Sequence, residues 1–183
     1  MSLPFTRELS SETKNNHSKV DHHEFSRSIS LNPLAGQMYV NFNKICINEI
    51  QKVLVTKGYK HQVFEQLHRN IDIDSSKLVR LYACDSLNVL VNRCKDYPLE
   101  HAYMFYLGLL FGGSMLQKML PHEDQTFFQY DNRQKLIQEF KTFLNEYITD
   151  IQRQKQFIEC VNHSYVLIYD IFSDLQKLAM GSM

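Results

Sequence analysis

The chain lacks any run of apolar residues approaching the roughly 20 that cross a bilayer. No hydrophobic stretch follows the first methionine, so no secretory signal is read. Net charge is also missing: 20 Lys and Arg balance 20 Asp and Glu. That balance removes any global electrostatic argument for nucleic acid or an anionic membrane as partner, and leaves room only for a local basic patch. The four cysteines, Cys46, Cys84, Cys94 and Cys160, are far apart and form no C-x-x-C pair. Neither a zinc ribbon nor a redox motif follows, and reduced, buried thiols are expected. There is no internal repeat, no low-complexity segment and no alternating strand pattern. What is left is one all-α domain over residues 1–183, with 1–8 and 180–183 as flexible ends. It is expected to be soluble, cytoplasmic and monomeric, with no nucleic-acid partner and no membrane anchor.

Prolines are few, and three of the four, Pro33, Pro98 and Pro121, bracket strong helical segments. A first helix is expected from Ser10 to Phe25, with Ser10 or Ser11 as its cap. A long one follows from 34 to 57, carried by Leu34, Met38, Phe42, Ile45, Ile50 and Leu54 and stopped at Gly58. A short helix covers 60–69. Another, capped by Asp74 or Ser75, ends near Cys94. Pro98 opens and Pro121 closes the next. After a loop, Leu136, Ile137, Phe140, Leu144, Tyr147 and Ile148 mark an amphipathic helix. The last helix, from 152 to 179, has Phe157, Val161, Tyr165, Ile168, Phe172 and Leu175 on one face.

Glycines are scarce too, yet three of the six, Gly108, Gly112 and Gly113, fall within "HAYMFYLGLLFGGSMLQKML" (His101 to Leu120). Each costs a helix interior up to about 1 kcal/mol relative to alanine. A bend that lets something large press against bare backbone would justify them. A kink for helix–helix packing is the plainer alternative.

Two segments favour the first explanation. "HAYMFYLGLLFGG" resembles the distal-helix signature of heme oxygenases, H-A-Y-x-R-Y-L-G-D-L-S-G-G, at His101, Ala102, Tyr103, Tyr106, Leu107, Gly108, Leu110, Gly112 and Gly113. "ETKNNHSKVDHHEF" resembles the proximal segment of the same family, A-T-K-x-x-H-x-x-x-E-x-x-x-F. Thr13, Lys14, His17 and Phe25 match there, with Asp21 in place of Glu. "FFQYDN" and "FKTFLN" resemble a later loop and helix of the family. The resemblance implies the heme oxygenase fold, with heme lying between a proximal helix and a glycine-kinked distal helix. It makes His17 the axial iron ligand and brings Val20, Asp21, Tyr103, Gly108, Leu109, Gly112, Gly113 and Lys141 to the heme. Lys141 takes the place of a basic side chain that meets a heme propionate. Tyr39 matches an aromatic position near the distal pocket. His101 belongs to the signature but is not read as a ligand, and His22 and His23 are expected to face solvent.

The pattern breaks where the family's chemistry is concentrated. Leu109 stands at the position of the distal Asp, whose carboxylate holds the water network that delivers protons during oxygen activation. Such acid–base assistance is typically worth roughly 10²–10⁴ in rate. No Asp or Glu occurs between His101 and Leu120 to replace it. Phe105 replaces the signature Arg, and Phe111 the signature Ser. The resemblance with these losses implies a heme-binding pseudoenzyme, carrier or sensor with weak or no heme-degrading activity. Two alternatives stand beside it. One is an active heme oxygenase, served by an electron-donating reductase, with a rearranged proton-delivery network. The other is a helical interaction module that binds no heme because Phe105, Leu109 and Phe111 fill the old pocket.

Overall fold

The computed structural model describes residues 4–72, 81 and 84–181. Among them the chain is helical, with eight α-helices, one 3-10 turn and no strand. The helices are α1 (Phe5–Asp21), α2 (Glu24–Ser28), α3 (Pro33–Thr56), α4 (Gln62–Leu67), α5 (Asp85–Asp96), α6 (Pro98–Met119), α7 (Arg133–Tyr147) and α8 (Ile151–Gly181), with the 3-10 turn at Gln125–Phe128. The all-α expectation holds.

Punctuation read from the sequence works at several ends. Pro33 opens α3 behind Asn32, whose Oδ1 accepts from the Leu34 and Ala35 amides at 3.0 and 3.3 Å. Gly58, at φ 75°, stops it in the left-handed region. Pro98 opens α6. The expected Asp74 and Ser75 caps lie outside the described residues.

The first helix departs from expectation. It begins at Phe5, inside the segment read as a flexible end, so Ser10 and Ser11 are interior rather than capping. Phe5 and Leu9 are both buried, which extends the apolar face by more than a turn. The Thr6 amide, an orphan donor of the first turn, finds Asn145 Oδ1 of α7 at 2.8 Å. The helix also ends early, at Asp21. His23 then caps α2: its Nδ1 accepts from the Phe25 amide at 2.9 Å and its Nε2 meets Ser173 Oγ of α8 at 3.0 Å. His23 is therefore buried, not solvent-facing, while His22 is exposed as expected.

α8 is the spine of the bundle. It packs along α1 and also touches α2, α3, α5 and α6. An aromatic chain runs through the core from α2 to α6: Phe25 to Phe172 (5.0 Å between centroids), Phe172 to Phe42 (5.4 Å) and Phe42 to Phe105 (5.8 Å). α3 and α7 flank α6 on either side, and α1 rests on α8 and α7.

Candidate functional site

α6 runs unbroken across its glycines, and the three do different things. Among the described residues, a Cβ placed on Gly108 or Gly112 would meet nothing within 4 Å. On Gly113 it would lie 2.5 Å from Arg133 Nη1 and 3.0 Å from the Phe128 carbonyl oxygen. The Arg133 guanidinium lies against that bare backbone and donates to the carbonyls of Leu109 (2.8 Å), Leu110 (3.3 Å) and Phe128. Gly113 is the buried seat of Arg133. Sequence reading missed Arg133, because nothing in "DNRQK" shows that its side chain folds back onto a helix more than 20 positions earlier.

Gly108 and Gly112 share an outward stripe with Phe111 and Met115. Phe111 is 63% exposed, and the Lys141 ammonium of α7 lies 5.3 Å from its ring centre. Leu109 and Phe105 point the other way. Leu109 is 2% exposed, and Phe105 is buried against Phe42 of α3. The three replacements therefore do not fill one pocket together: two belong to the core and one stands in the open.

On α1, His17 is half-exposed, with its Nε2 3.5 Å from Asp21 Oδ2 one turn on. Its ring rests on Tyr165 of α8, 5.2 Å between centroids. Which ring nitrogen faces Asp21 is an assignment a ring flip would reverse. Val20 is buried in the core. The reason is helical phase: Leu9, Thr13 and Val20 share the inward face, and His17 and Asp21 lie beside it.

Tyr103 ties α6 to α1. Its hydroxyl hydrogen-bonds with the side chains of Ser10 and Thr13, and burial pushes its pKa up. Burial likewise raises Tyr39 to about 12, and Tyr165 is raised for the same reason. The Asp21 charge adds to both shifts, so α1, α3 and α8 converge near that carboxylate. All three phenols stay protonated near neutrality and can serve as hydrogen-bond donors.

His101 is a structural bolt. It is buried, with Nδ1 2.7 Å from the Tyr97 carbonyl and Nε2 2.9 Å from Ser164 Oγ of α8. Arg93 Nε donates to the same Ser164 oxygen at 3.1 Å. Burial lowers the His101 pKa to about 4, so it is neutral and fully used. Among the described residues, no group of three or more His, Cys, Asp or Glu could hold a metal ion. Any iron here would need a ligand set that is mostly not protein, as in heme.

A groove of about 1000 Å³ lies between the α1–α2 corner and α8, adjoining His17 through Asn16 and Tyr165, and includes Lys19, His22, His23, Tyr169 and Lys177. Neither His17 nor the glycines line it. The α6 stripe is the candidate site, because the signature glycines Gly108 and Gly112 lie open there and do not line the groove.

No protein-family model matches the chain. It is 30% identical over 109 residues to heme oxygenase 1 of Gallus gallus, a match covering 54% of this chain and 37% of that protein. The match thus spans well under two thirds of the curated relative. Solved structures agree over nearly the full length. Heme oxygenase from Leptospira interrogans superposes with a TM-score of 0.75 at 16% identity, covering 93% of this chain and 99% of that one. Heme oxygenase-1 from Synechocystis sp. PCC 6803, solved in complex with heme, gives 0.72 at 14% identity, covering 98% and 96%. Heme oxygenase-2 from the same cyanobacterium, in complex with heme and NO, gives 0.73 at 16%, covering 99% and 88%. Among the described residues no helix is long and apolar enough to cross a membrane. The chain resembles the heme oxygenases in sequence over part of its length and has their all-α fold.

Proposed function

We propose that this protein binds heme between α1 and α6 and degrades it weakly or not at all, as a pseudoenzyme, carrier or sensor. The observation that carries the reading is the open space over Gly108 and Gly112, on one outward stripe of α6. An unbroken helix accepts two interior glycines at a cost of up to about 1 kcal/mol each, with no neighbour among the described residues that needs the space. A flat ligand pressed to the backbone needs it.

Within this reading His17 would hold the iron through an imidazole nitrogen, and Asp21, one turn on, would orient the ring as carboxylates do for ligating histidines. Lys141, already beside the open stripe, meets a carboxylate at the ligand's edge. Bound heme would supply an iron centre able to take up dioxygen. What the chain does not supply is an acid–base group at Leu109, whose buried side chain can neither hold water nor move a proton. Phe111 and Met115 make the distal stripe apolar. The exposure of Phe111 counts against the reading in which it plugs the site.

Titration of the protein with hemin tests this. A saturable Soret band that is lost or strongly shifted in His17→Ala is expected. A spectrum indifferent to that substitution would take His17 out of the site. No binding at all would leave the helical interaction module.

A further inference from the structure

A second site lies where α3 turns into α4, against the end of α7. α3 closes with Gly58, whose positive φ reverses the chain. The amides of Gly58 and Tyr59 then return to the carbonyls of Val55 (3.1 Å) and Leu54 (3.0 Å). This satisfies carbonyls that would otherwise present partial negative charge at the helix end. The turn carries Lys57 and Lys60 into a cavity of about 500 Å³, whose remaining lining is Tyr59, His61, Phe143, Tyr147 and the bare Gly58. That volume lies within the range of small-molecule sites.

Two properties of the lining stand out. First, it contains no carboxylate, and among the described residues no ion pair engages Lys57 or Lys60. His61 adds a third donor. Its Nδ1 accepts from the Val63 amide at 3.2 Å, which leaves the proton on Nε2. Second, the other walls are rings. Tyr147 stacks on Phe143 at 5.2 Å and 21°, and is 54% exposed at the mouth. Tyr59 stands edge-on to Tyr147 at 5.8 Å, and the hydroxyls of these two share a hydrogen bond. His61 packs on Phe143 at 4.9 Å. An exposed ring backed by a second ring is a platform for a planar ligand, and the unpaired cations beside it suit a phosphate.

We infer that this cavity binds a nucleoside phosphate, its base stacked on Tyr147 and its phosphates on Lys57, Lys60 and His61. The site is built from α3, α4 and α7 and shares no residue with the proposed heme cleft, so either can fail without the other. It also gives a use to the one kind of electrostatic feature that a zero net charge leaves open, a local basic patch.

Calorimetric titration of the full chain with ADP, adenosine, pyrophosphate and a short single-stranded oligonucleotide tests the assignment. ADP should bind, with adenosine and pyrophosphate each at least tenfold weaker. ADP should also quench tyrosine emission, which no tryptophan masks. The double variant Lys57→Ala/Lys60→Ala should weaken ADP at least tenfold. Tyr147→Ala, at an exposed position that folding tolerates, should weaken ADP similarly and leave pyrophosphate unchanged. Lys177→Ala, on the α8 groove, should change nothing. Circular dichroism matching wild type establishes that each variant is folded. The assignment is overturned by no ADP binding, by pyrophosphate binding as tightly as ADP, by Tyr147→Ala binding ADP like wild type, or by an oligonucleotide binding tenfold tighter than ADP, which would mark a nucleic-acid surface.

Discussion

His101 shows how one residue can carry a signature without carrying the chemistry. Its two nitrogens are spent on Tyr97 and Ser164, and that buried chain of hydrogen bonds joins α6 to α8. Its pKa is lowered to about 4, first by burial and then by the Arg93 charge, against a partial raise from the Tyr97 carbonyl. The unfolded chain takes up a proton near 6.5, whereas the folded protein resists until about 4. The stabilisation is therefore complete above pH 6.5 and is lost as pH falls toward 4. It is worth about 3 kcal/mol at roughly 1.4 kcal/mol per pKa unit. Urea denaturation at pH 7.5 and 4.5 should show a drop of that order in the wild type and a clearly smaller one in His101→Gln. Equal drops in the two proteins would mean that His101 is not held neutral.

At the scale of the element, α6 separates two kinds of glycine, and alanine tells them apart. At Gly108 or Gly112 a methyl group meets none of the described residues, so Gly108→Ala and Gly112→Ala should each stabilise the ligand-free protein by up to about 1 kcal/mol. The same methyl would stand where the proposed heme lies, so hemin affinity should fall at least tenfold. That is stability gained at the expense of function. At Gly113 the methyl collides with Arg133, so Gly113→Ala must displace the guanidinium from the Leu109, Leu110 and Phe128 carbonyls. A loss of about 1.5–3 kcal/mol is expected there. Denaturation curves and hemin titrations of the three variants read both effects. Undiminished hemin affinity in Gly108→Ala would remove the ligand from this face of the helix.

For the whole molecule, Leu109, which the resemblance sets at the distal carboxylate's position, is built into the core. Leu109 is 2% exposed, and Phe105 belongs to the aromatic chain through Phe42 and Phe172. Leu109→Asp should restore part of any heme-degrading activity in single turnover with a reductase or ascorbate. It should also cost about 2–4 kcal/mol, because the new carboxylate enters an apolar site. Adding Phe105→Arg and Phe111→Ser completes the polar set, and groups that act as one network do not add independently. The second of the three substitutions removes a core ring, so the triple variant should melt well below wild type against a total stability of about 5–15 kcal/mol. Biliverdin and carbon monoxide would be the assay products. Efficient production of both by the wild type would overturn the pseudoenzyme reading.

The sequence by itself determined that the chain is an all-α bundle of the heme oxygenase type. Helical periodicity, prolines at helix starts and Gly58 at a helix end are local signals, and two short motifs carry the resemblance. Local signals survive folding because each depends on residues within a few positions of one another. The tertiary structure decided which face each residue shows. Val20 turned into the core, Gly113 gave way to Arg133, and Phe111 stood out while Leu109 and Phe105 turned in. Asn145 and Ser173, distant in sequence, fixed where α1 begins and how the α1–α2 corner is held. A motif states which residues are present at which spacing. The direction of a side chain depends on what packs against its helix, and those neighbours lie tens of residues away along the chain.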